Sequence, residues 1–303
     1  MLWQMPKRFQ KQFILIKSPK GVITVSILMG LLSALCWGST DFIAGAASRK
    51  NGVVKTLFLS QTFGLLILSA FLLNNFIPFE LSYLSLVICI AASIFNLLAM
   101  LFLLKALSVG KASIVAPIAS LYGAVTTILS LLSGKPLTTL TLLSLAVCVI
   151  GACLTSIPET KRGNNNSVGS IICAFLSAVM FGLGFWLQGQ YAVHALGVIN
   201  SLWVYYFTAF IILFSFSLIK KDVTIPSVSN LMLIFSISIF SLIGFASLAY
   251  GSKFGSVAIV TVLSSLASGV TALLAFFIRR ERLSKTQCAG LLIIISGVIL
   301  LKL

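Results

Sequence analysis

The chain of 303 residues is 59% hydrophobic and only 9% charged, with 21 Lys and Arg against five Asp and Glu. Soluble globular domains carry about 25% charged residues, so this composition excludes a soluble protein and indicates an integral membrane protein. The net charge of +16 does not indicate nucleic acid binding, because the cations are scattered over a tail and short polar breaks, where the headgroups of the lipid bilayer are the expected partners.

Residues 1–21 form a basic N-terminal tail. Phe9, Phe13 and Ile16 recur there at helical spacing between cations, a pattern typical of a helix that lies flat on a membrane surface. A cleavable presequence is the alternative, although no small-residue cleavage site separates a short apolar core from the first long apolar run.

Ten apolar runs succeed the tail. A helix needs about 20 residues to cross roughly 30 Å of hydrocarbon, and most of the runs have roughly that length. The short alternating segments typical of a transmembrane barrel do not occur in the sequence. We therefore predict an all-α integral membrane protein with ten transmembrane helices, near residues 22–46, 54–73, 83–105, 112–133, 139–157, 168–190, 198–219, 229–252, 255–278 and 286–302.

The polar stretch 158–167 divides these spans into two groups of five. We predict that it is a linker between a first five-helix repeat over 22–157 and a second over 168–303. Because each group has an odd number of spans, the second must enter the membrane from the opposite side. Such inverted repeats are typical of alternating-access transporters, whose substrate site lies near the midplane between the repeats.

Direct comparison of the two halves supports the duplication. With an offset of 145 residues, "VGKASIVAPIASLYGAVTTILS" (109–130) matches "FGSVAIVTVLSSLASGVTALLA" (254–275) at eight of 22 positions. With an offset of 144 residues, "LSALCWG" (32–38) matches "LSAVMFG" (176–182). The similarity therefore extends from the first span of each half to the fourth.

Three stretches resemble the EamA family of the drug/metabolite transporter superfamily: "WGSTDF" in span 1, "ALSVGKASIVAPIASLY" running into span 4, and "LSSLASGVTALLAFFIRRERLSKTQCAGLLIIISGVILL" across spans 9 and 10. The resemblance implies a basket of ten helices, with helices 1–4 and 6–9 around a central cavity and helices 5 and 10 at the periphery. One departure is that Lys135 stands at the counterpart of Glu281. We therefore expect Glu281 to form a loop ion pair with its flanking arginines.

Asp41 is the only one of the five acidic residues that lies within an apolar run. A carboxylate at the bilayer centre costs about 2.5 to 3.5 kcal/mol on insertion scales, so such a group usually faces a cavity or a partner. Asp41 is thus the coupling candidate, as a proton site, an anchor for a substrate ammonium group or a gate. The alternative is an interfacial ion pair with Arg49, Lys50 or Lys105.

The repeat makes any charge-dependent step asymmetric, because the counterpart of Asp41 is Phe185 and that of Trp37 is Phe181. Polar and aromatic side chains within the spans are the candidates for a substrate-binding cavity, with aromatic belts at the interface and amides that join helices as the alternatives. These candidates are Trp37, Asp41, Gln61, Asn96, Tyr122, Phe181, Trp186, Gln188, Tyr206 and Tyr250.

Small residues and one proline are candidates for helix packing or hinges. Gly30, Gly38 and Gly182 permit close helix contact. Pro117 removes a backbone hydrogen bond early in span 4, which creates either a hinge or a passive kink.

The sequence offers no basis for catalysis. It has one histidine, no acidic cluster and no phosphate-binding loop, so we expect no catalytic residues, no metal and no cofactor. The prediction is a secondary active transporter in the cell (inner) membrane that moves small organic solutes, such as amino acids, related metabolites or amphipathic drug-like compounds, by alternating access. Export is the predicted direction, and protons are the candidate coupling ion. A non-transporting membrane scaffold or receptor is the alternative.

The distribution of Lys and Arg does not decide the membrane orientation, and the sequence does not indicate the oligomeric state. Thirteen of the 21 Lys and Arg lie on the side opposite to both predicted termini, which by the positive-inside rule places the termini outside. The basic tail taken alone places them inside.

Overall fold

The computed structural model describes residues 19–74, 82–109, 115, 118–134, 137–155, 168–220, 226–279 and 285–300. Within these ranges the chain is helical and has no strand. Residues 1–18 of the predicted tail, the linker, Pro117, Lys135 and Glu281 lie outside the described residues. The helices are α1 (Pro19–Asn51), α2 (Val53–Asn74), α3 (Tyr83–Val109), α4 (Tyr122–Leu132), α5 (Thr139–Thr155), α6 (Val168–Leu196), α7 (Val198–Lys220), α8 (Val228–Phe254), α9a (Val257–Ser264), α9b (Ala267–Arg279) and α10 (Lys285–Leu300).

Six of these helices, α1, α2, α3, α6, α7 and α8, are long and apolar enough to cross a membrane. They confirm the prediction of an all-α, multi-pass membrane protein. The other four apolar segments are shorter within the described residues: part of predicted span 4 falls outside them, and predicted span 9 is interrupted. The number of ten transmembrane helices therefore stays a prediction.

The fourth and ninth predicted spans are interrupted at equivalent positions. Residues 120–121 and residues 265–266 both form turns, 145 residues apart in the chain. At each turn the second residue donates its backbone N–H three residues back, from Leu121 to Ile118 and from Leu266 to Leu263, each at 3.2 Å. The repeat is thus visible in backbone hydrogen bonding as well as in sequence.

The first two helices of each repeat are joined by a single glycine. Gly52, between α1 and α2, has a φ of 83°, and Gly197, between α6 and α7, has a φ of 82°. Residues other than glycine rarely adopt this left-handed conformation, and its place directly after a helix is the usual one. The two glycines begin similar sequences, "GVV" at 52–54 and "GVI" at 197–199, and the matched turns explain why glycine occurs at both positions.

Counterpart helices of the two repeats pack against each other in antiparallel pairs. Helix α2 packs on its counterpart α7, and α5 packs on its counterpart α10. Along the first pair, Gln61 bonds to Tyr205 and Ser69, further along α2, bonds to Trp203, earlier in α7. Since each such pair joins equivalent segments in opposite directions, the second repeat is inverted with respect to the first. Helices α1 and α8, and their counterparts α6 and α3, complete the arrangement with further large contacts.

Glycines lie at several of the close helix contacts. A methyl group added at Gly38 would lie 2.7 Å from the Ala267 carbonyl oxygen, and one added at Gly30 would lie 2.6 Å from Leu263 Cβ. At Gly182 an added methyl group would overlap Val125. The structure therefore places all three glycines where a larger side chain would separate neighbouring helices.

Candidate functional site

Six aromatic rings from both repeats meet in one group, the central aromatic cluster. The Trp37 and Phe185 rings are stacked with centroids 5.1 Å apart, and Phe181 also stacks on Phe185, at 5.2 Å. Tyr122 contacts Phe185 edge-on at 5.4 Å. The members are Trp37 of α1, Tyr122 of α4, Phe181 and Phe185 of α6, Tyr205 of α7 and Phe245 of α8.

The position of the Trp37 indole in the cluster requires a residue without a side chain at Gly244. Phe245 lies edge-on to Trp37 at 5.0 Å, and a methyl group on its neighbour Gly244 would lie 2.6 Å from Trp37 Cδ1. The absence of a side chain at Gly244 therefore allows the indole to reach Phe245 and Phe185. Offset and edge-on ring contacts of this kind contribute about 0.5–1.5 kcal/mol each beyond apolar burial.

Asp41 lies one helical turn beyond Trp37, on the same face of α1. Ala34 and Ala44 on this face are buried, whereas the opposite face exposes Leu28 and its neighbours. Trp37 and Asp41 are nevertheless only partly buried. Both side chains therefore lie on the side of α1 that faces the other helices.

The surroundings of Asp41 bear on whether it is a coupling residue or part of an interfacial ion pair. Its carboxylate forms no ion pair with Lys50 or Lys105 and no hydrogen bond with any described residue, and the Arg49 side chain lies outside the described part. Among the described residues, Asp41 therefore lies one helical turn from Trp37 of the aromatic cluster and is not paired with a lysine.

Two buried amide side chains join helices beside the cluster. Gln61 donates from Nε2 to the Tyr205 hydroxyl at 3.1 Å, which joins α2 to its counterpart α7. Asn96 donates from Nδ2 to Gln188 Oε1 at 3.0 Å, where α6 makes a π-helical turn over Gln188–Ala192. Three amide atoms, Gln61 Oε1, Asn96 Oδ1 and Gln188 Nε2, have no hydrogen-bond partner among the described residues.

The remaining cavity candidates are not brought into the cluster equally. Tyr206 is buried beside Tyr205, with ring centroids 5.1 Å apart. Trp186 donates from Nε1 to Ser133 Oγ at 3.1 Å and contacts Tyr191. Tyr250 is 41% exposed and lies on the outer face of α8 against Phe254, away from the other candidates.

Sequence reasoning did not single out Phe245. A phenylalanine within an apolar span carries no polar signal, and the adjacent Gly244 was the available sign of a close approach. Phe185 entered the sequence analysis only as the counterpart of Asp41, although in the structure its ring contacts four others of the cluster.

Comparison with known proteins places the chain in a family. The model of the EamA-like transporter family matches twice, over residues 24–157 and 168–303. A solved crystal structure of a protein has the same fold, with a TM-score of 0.77 and 16% sequence identity over 91% of this chain and 96% of that one. No curated protein sequence matches. The family resemblance found in the sequence is therefore confirmed, and the chain belongs to the EamA-like transporter family.

Proposed function

We propose that the protein is a secondary active transporter of small organic solutes in the cell (inner) membrane, and that it works by alternating access. The supporting observation is the antiparallel pairing of counterpart helices around the central aromatic cluster. Two similar halves in opposite orientations can exchange conformations, which opens a site between them to one side of the membrane and then to the other. Solutes with an apolar body and a polar end suit a site of rings, amides and one carboxylate.

We propose further that Asp41 couples transport to protons. A carboxylate inside a membrane protein is costly when charged and unpaired, so it is stabilised either by a proton or by a solute group. If both occupy Asp41 in turn, an inward proton gradient drives the solute outward. Net export then follows from competition at a single side chain.

A Lys or Arg paired with Asp41 would exclude a proton or a solute from its carboxylate, and no described Lys or Arg on the helices packed against α1 forms such a pair. The titratable groups on these helices are Lys55 of α2, Tyr83, Cys89 and Lys105 of α3, Tyr250 and Lys253 of α8, and Arg279 of α9b. None of the described side chains among them forms an ion pair with Asp41.

A flux assay tests the proposal. Metabolite profiles of cells with and without the protein identify a transported solute, which is then followed in proteoliposomes under an imposed pH gradient. We expect gradient-driven flux in the native protein and in Asp41→Glu, and a loss of at least tenfold in Asp41→Asn. Glu281→Gln, the same neutralisation at a carboxylate outside the apolar runs, serves as the matched control and should retain flux. Undiminished gradient-driven flux in Asp41→Asn would end the coupling proposal.

A further inference from the structure

We propose that the π-helical turn of α6 is a gate, which closes the molecule on the side of the membrane where α6 and α8 end. The inference deepens the proposed transport function and rests on it for the need to open and close each side in turn. It is supported by the position of an extra residue, by the grouping of the helices and by the packing of Gly189.

The second repeat has one more residue in its first helix than the first repeat has. Gly38 of α1 packs on α9b, and Gly182 of α6 packs on α4, the counterpart of α9b. These two glycines are thus structurally equivalent, and they lie 144 residues apart. The matched turns after the same two helices, at Gly52 and Gly197, lie 145 residues apart. The extra residue is therefore between 182 and 197, where the π-helical turn over Gln188–Ala192 accommodates it.

The helices around the turn form two groups that mix the repeats. The first helix of each repeat packs mainly on the third and fourth helices of the other: α1 on α8, α9a and α9b, and α6 on α3 and α4. The groups meet where α4 crosses α9a, and they meet again where the π-helical turn contacts α8, within about two helical turns of the end of α6. Helices with extensive mutual contacts move as units. Alternating access therefore requires the contact of the turn with α8 to open and close.

Gly189 allows this contact to be close. A methyl group added at Gly189 would lie 2.9 Å from Ser252 Cβ, near the end of α8, and 3.0 Å from Val257 Cγ1, at the start of α9a. Ser252 is almost fully buried, and Leu248, one turn deeper in α8, is fully buried. Phe245 of the central aromatic cluster follows at the next turn of α8. The packed turn thus lies between the membrane surface and the cluster.

The Ser252 hydroxyl lowers the cost of opening the gate. It has no hydrogen-bond partner among the described residues, and burial of a hydroxyl without a partner is unfavourable. When the turn moves away from α8, water can bond to this hydroxyl, which offsets part of the cost of exposing apolar surface at Val257. The closed and open forms of the gate can therefore lie close in free energy.

Cysteine labelling in lipid nanodiscs tests the gate without requiring a solute. In a variant whose six native cysteines are replaced, Leu248→Cys reports access past the turn. Cysteine is smaller than leucine, so this change does not itself hold the gate open. A small charged methanethiosulfonate reagent should label Leu248→Cys at least tenfold faster when Gly189→Ala is also present, because the added methyl group separates the turn from Ser252.

Gly182→Ala is the matched control. Its methyl group also makes an overlap on α6, with Val125 of α4, but within one group of helices. It should therefore change the rate of labelling at Leu248→Cys less than threefold. An unchanged rate in Gly189→Ala, or an equal increase in Gly182→Ala, would overturn the inference.

Each variant is first compared with its parent protein for monodisperse elution. If Gly189→Ala does not fold, Val257→Phe, which enlarges the same contact from α9a, replaces it with the same expected increase and the same overturning result. Faster labelling in Gly189→Ala without solute flux in the native protein would contradict the proposed transport function but not the gate. Solute flux in the native protein, together with unchanged labelling in Gly189→Ala, would contradict the gate but not the transport function.

Discussion

At the scale of single residues, two threonines at equivalent positions of the repeats each form a hydrogen bond with a helix of the other repeat. Thr126 Oγ1 of α4 donates to the Gly182 carbonyl of α6 at 3.1 Å, and Thr271 Oγ1 of α9b donates to the Gly38 carbonyl of α1 at 3.0 Å. Each hydroxyl also contacts a carbonyl four residues earlier in its own helix. The glycines make the bonds possible, because a side chain there would hold the helices apart.

We expect Thr126→Val and Thr271→Val each to lower the free energy of unfolding by about 1 kcal/mol, the usual size of an interhelical hydrogen bond in a membrane protein. Valine keeps the shape of threonine and removes the hydroxyl. Reversible unfolding in mixed micelles measures the change. Thr62→Val is the matched control, because the Thr62 hydroxyl bonds within its own helix, to Phe58. Equal losses in all three variants would show that the interhelical bonds contribute nothing.

Residue chemistry predicted part of the candidate site. Gln61 and Asn96, predicted from their polarity within apolar spans as cavity residues, are buried and join helices, and their role in a substrate cavity stays a prediction. Polarity did not distinguish Tyr250, on the outer face of α8, from Tyr122 in the cluster, because both have the same chemistry and only tertiary packing separates them. Phe245 was missed because it has no polar group: only its ring takes part in the cluster, and a phenylalanine within an apolar span does not stand out in the sequence.

At the scale of elements, two helices depart from regular α geometry in ways that the sequence did not reveal. The turn at residues 265–266 contains neither proline nor an adjacent glycine. It lies where α9a crosses α4, and Ser264 and Ser268 on either side bond to Tyr122 and Ser120. The π-helical turn over Gln188–Ala192 carries one extra residue. The contacts with Tyr122 and Ser120 fix the turn at 265–266, and the π-helical turn includes Gln188, which is bonded to Asn96.

The π-helical turn leads to a prediction about deletions. Deleting Gln190 from the turn should convert it to regular α-helix and keep the registers of α6 on either side. Deleting Leu183, in the regular part of α6, should rotate one side of the helix by about 100° relative to the other. We therefore expect the Gln190 deletion to elute as a monodisperse protein and the Leu183 deletion to aggregate. Similar aggregation of both would show that the turn does not absorb a residue.

At the scale of the whole molecule, the inverted repeat was predictable from the sequence because span number and sequence similarity both result from duplication. The antiparallel pairs α2–α7 and α5–α10 show it in the fold. The matched turns at Gly52 and Gly197 then belong on opposite sides of the membrane. The residues that fill the interface between the repeats were less predictable, because the two halves differ in chemistry there, as at Asp41 and Phe185.

Cysteine labelling tests this topology. Lys50 and Ala195 are exposed, lie 145 residues apart and precede the two glycine turns. In a variant whose six native cysteines are replaced, Lys50→Cys and Ala195→Cys should react with a membrane-impermeant maleimide from opposite sides of sealed, uniformly oriented vesicles. Disruption of the vesicles should make both fully reactive. Labelling of both from the same side would contradict the inverted arrangement.

The presence of a carboxylate in one half and a phenylalanine at its equivalent in the other has a thermodynamic consequence. Two identical halves would make the two conformations of an exchanging pair mirror states of equal free energy. If Asp41 couples transport as proposed, it would lift this degeneracy, because its protonation would favour one state over the other and its charge would respond to the membrane voltage, worth about 2.3 kcal/mol per full charge per 100 mV. The resting distribution between the states would then be set by the bioenergetics of the membrane and not by the fold alone.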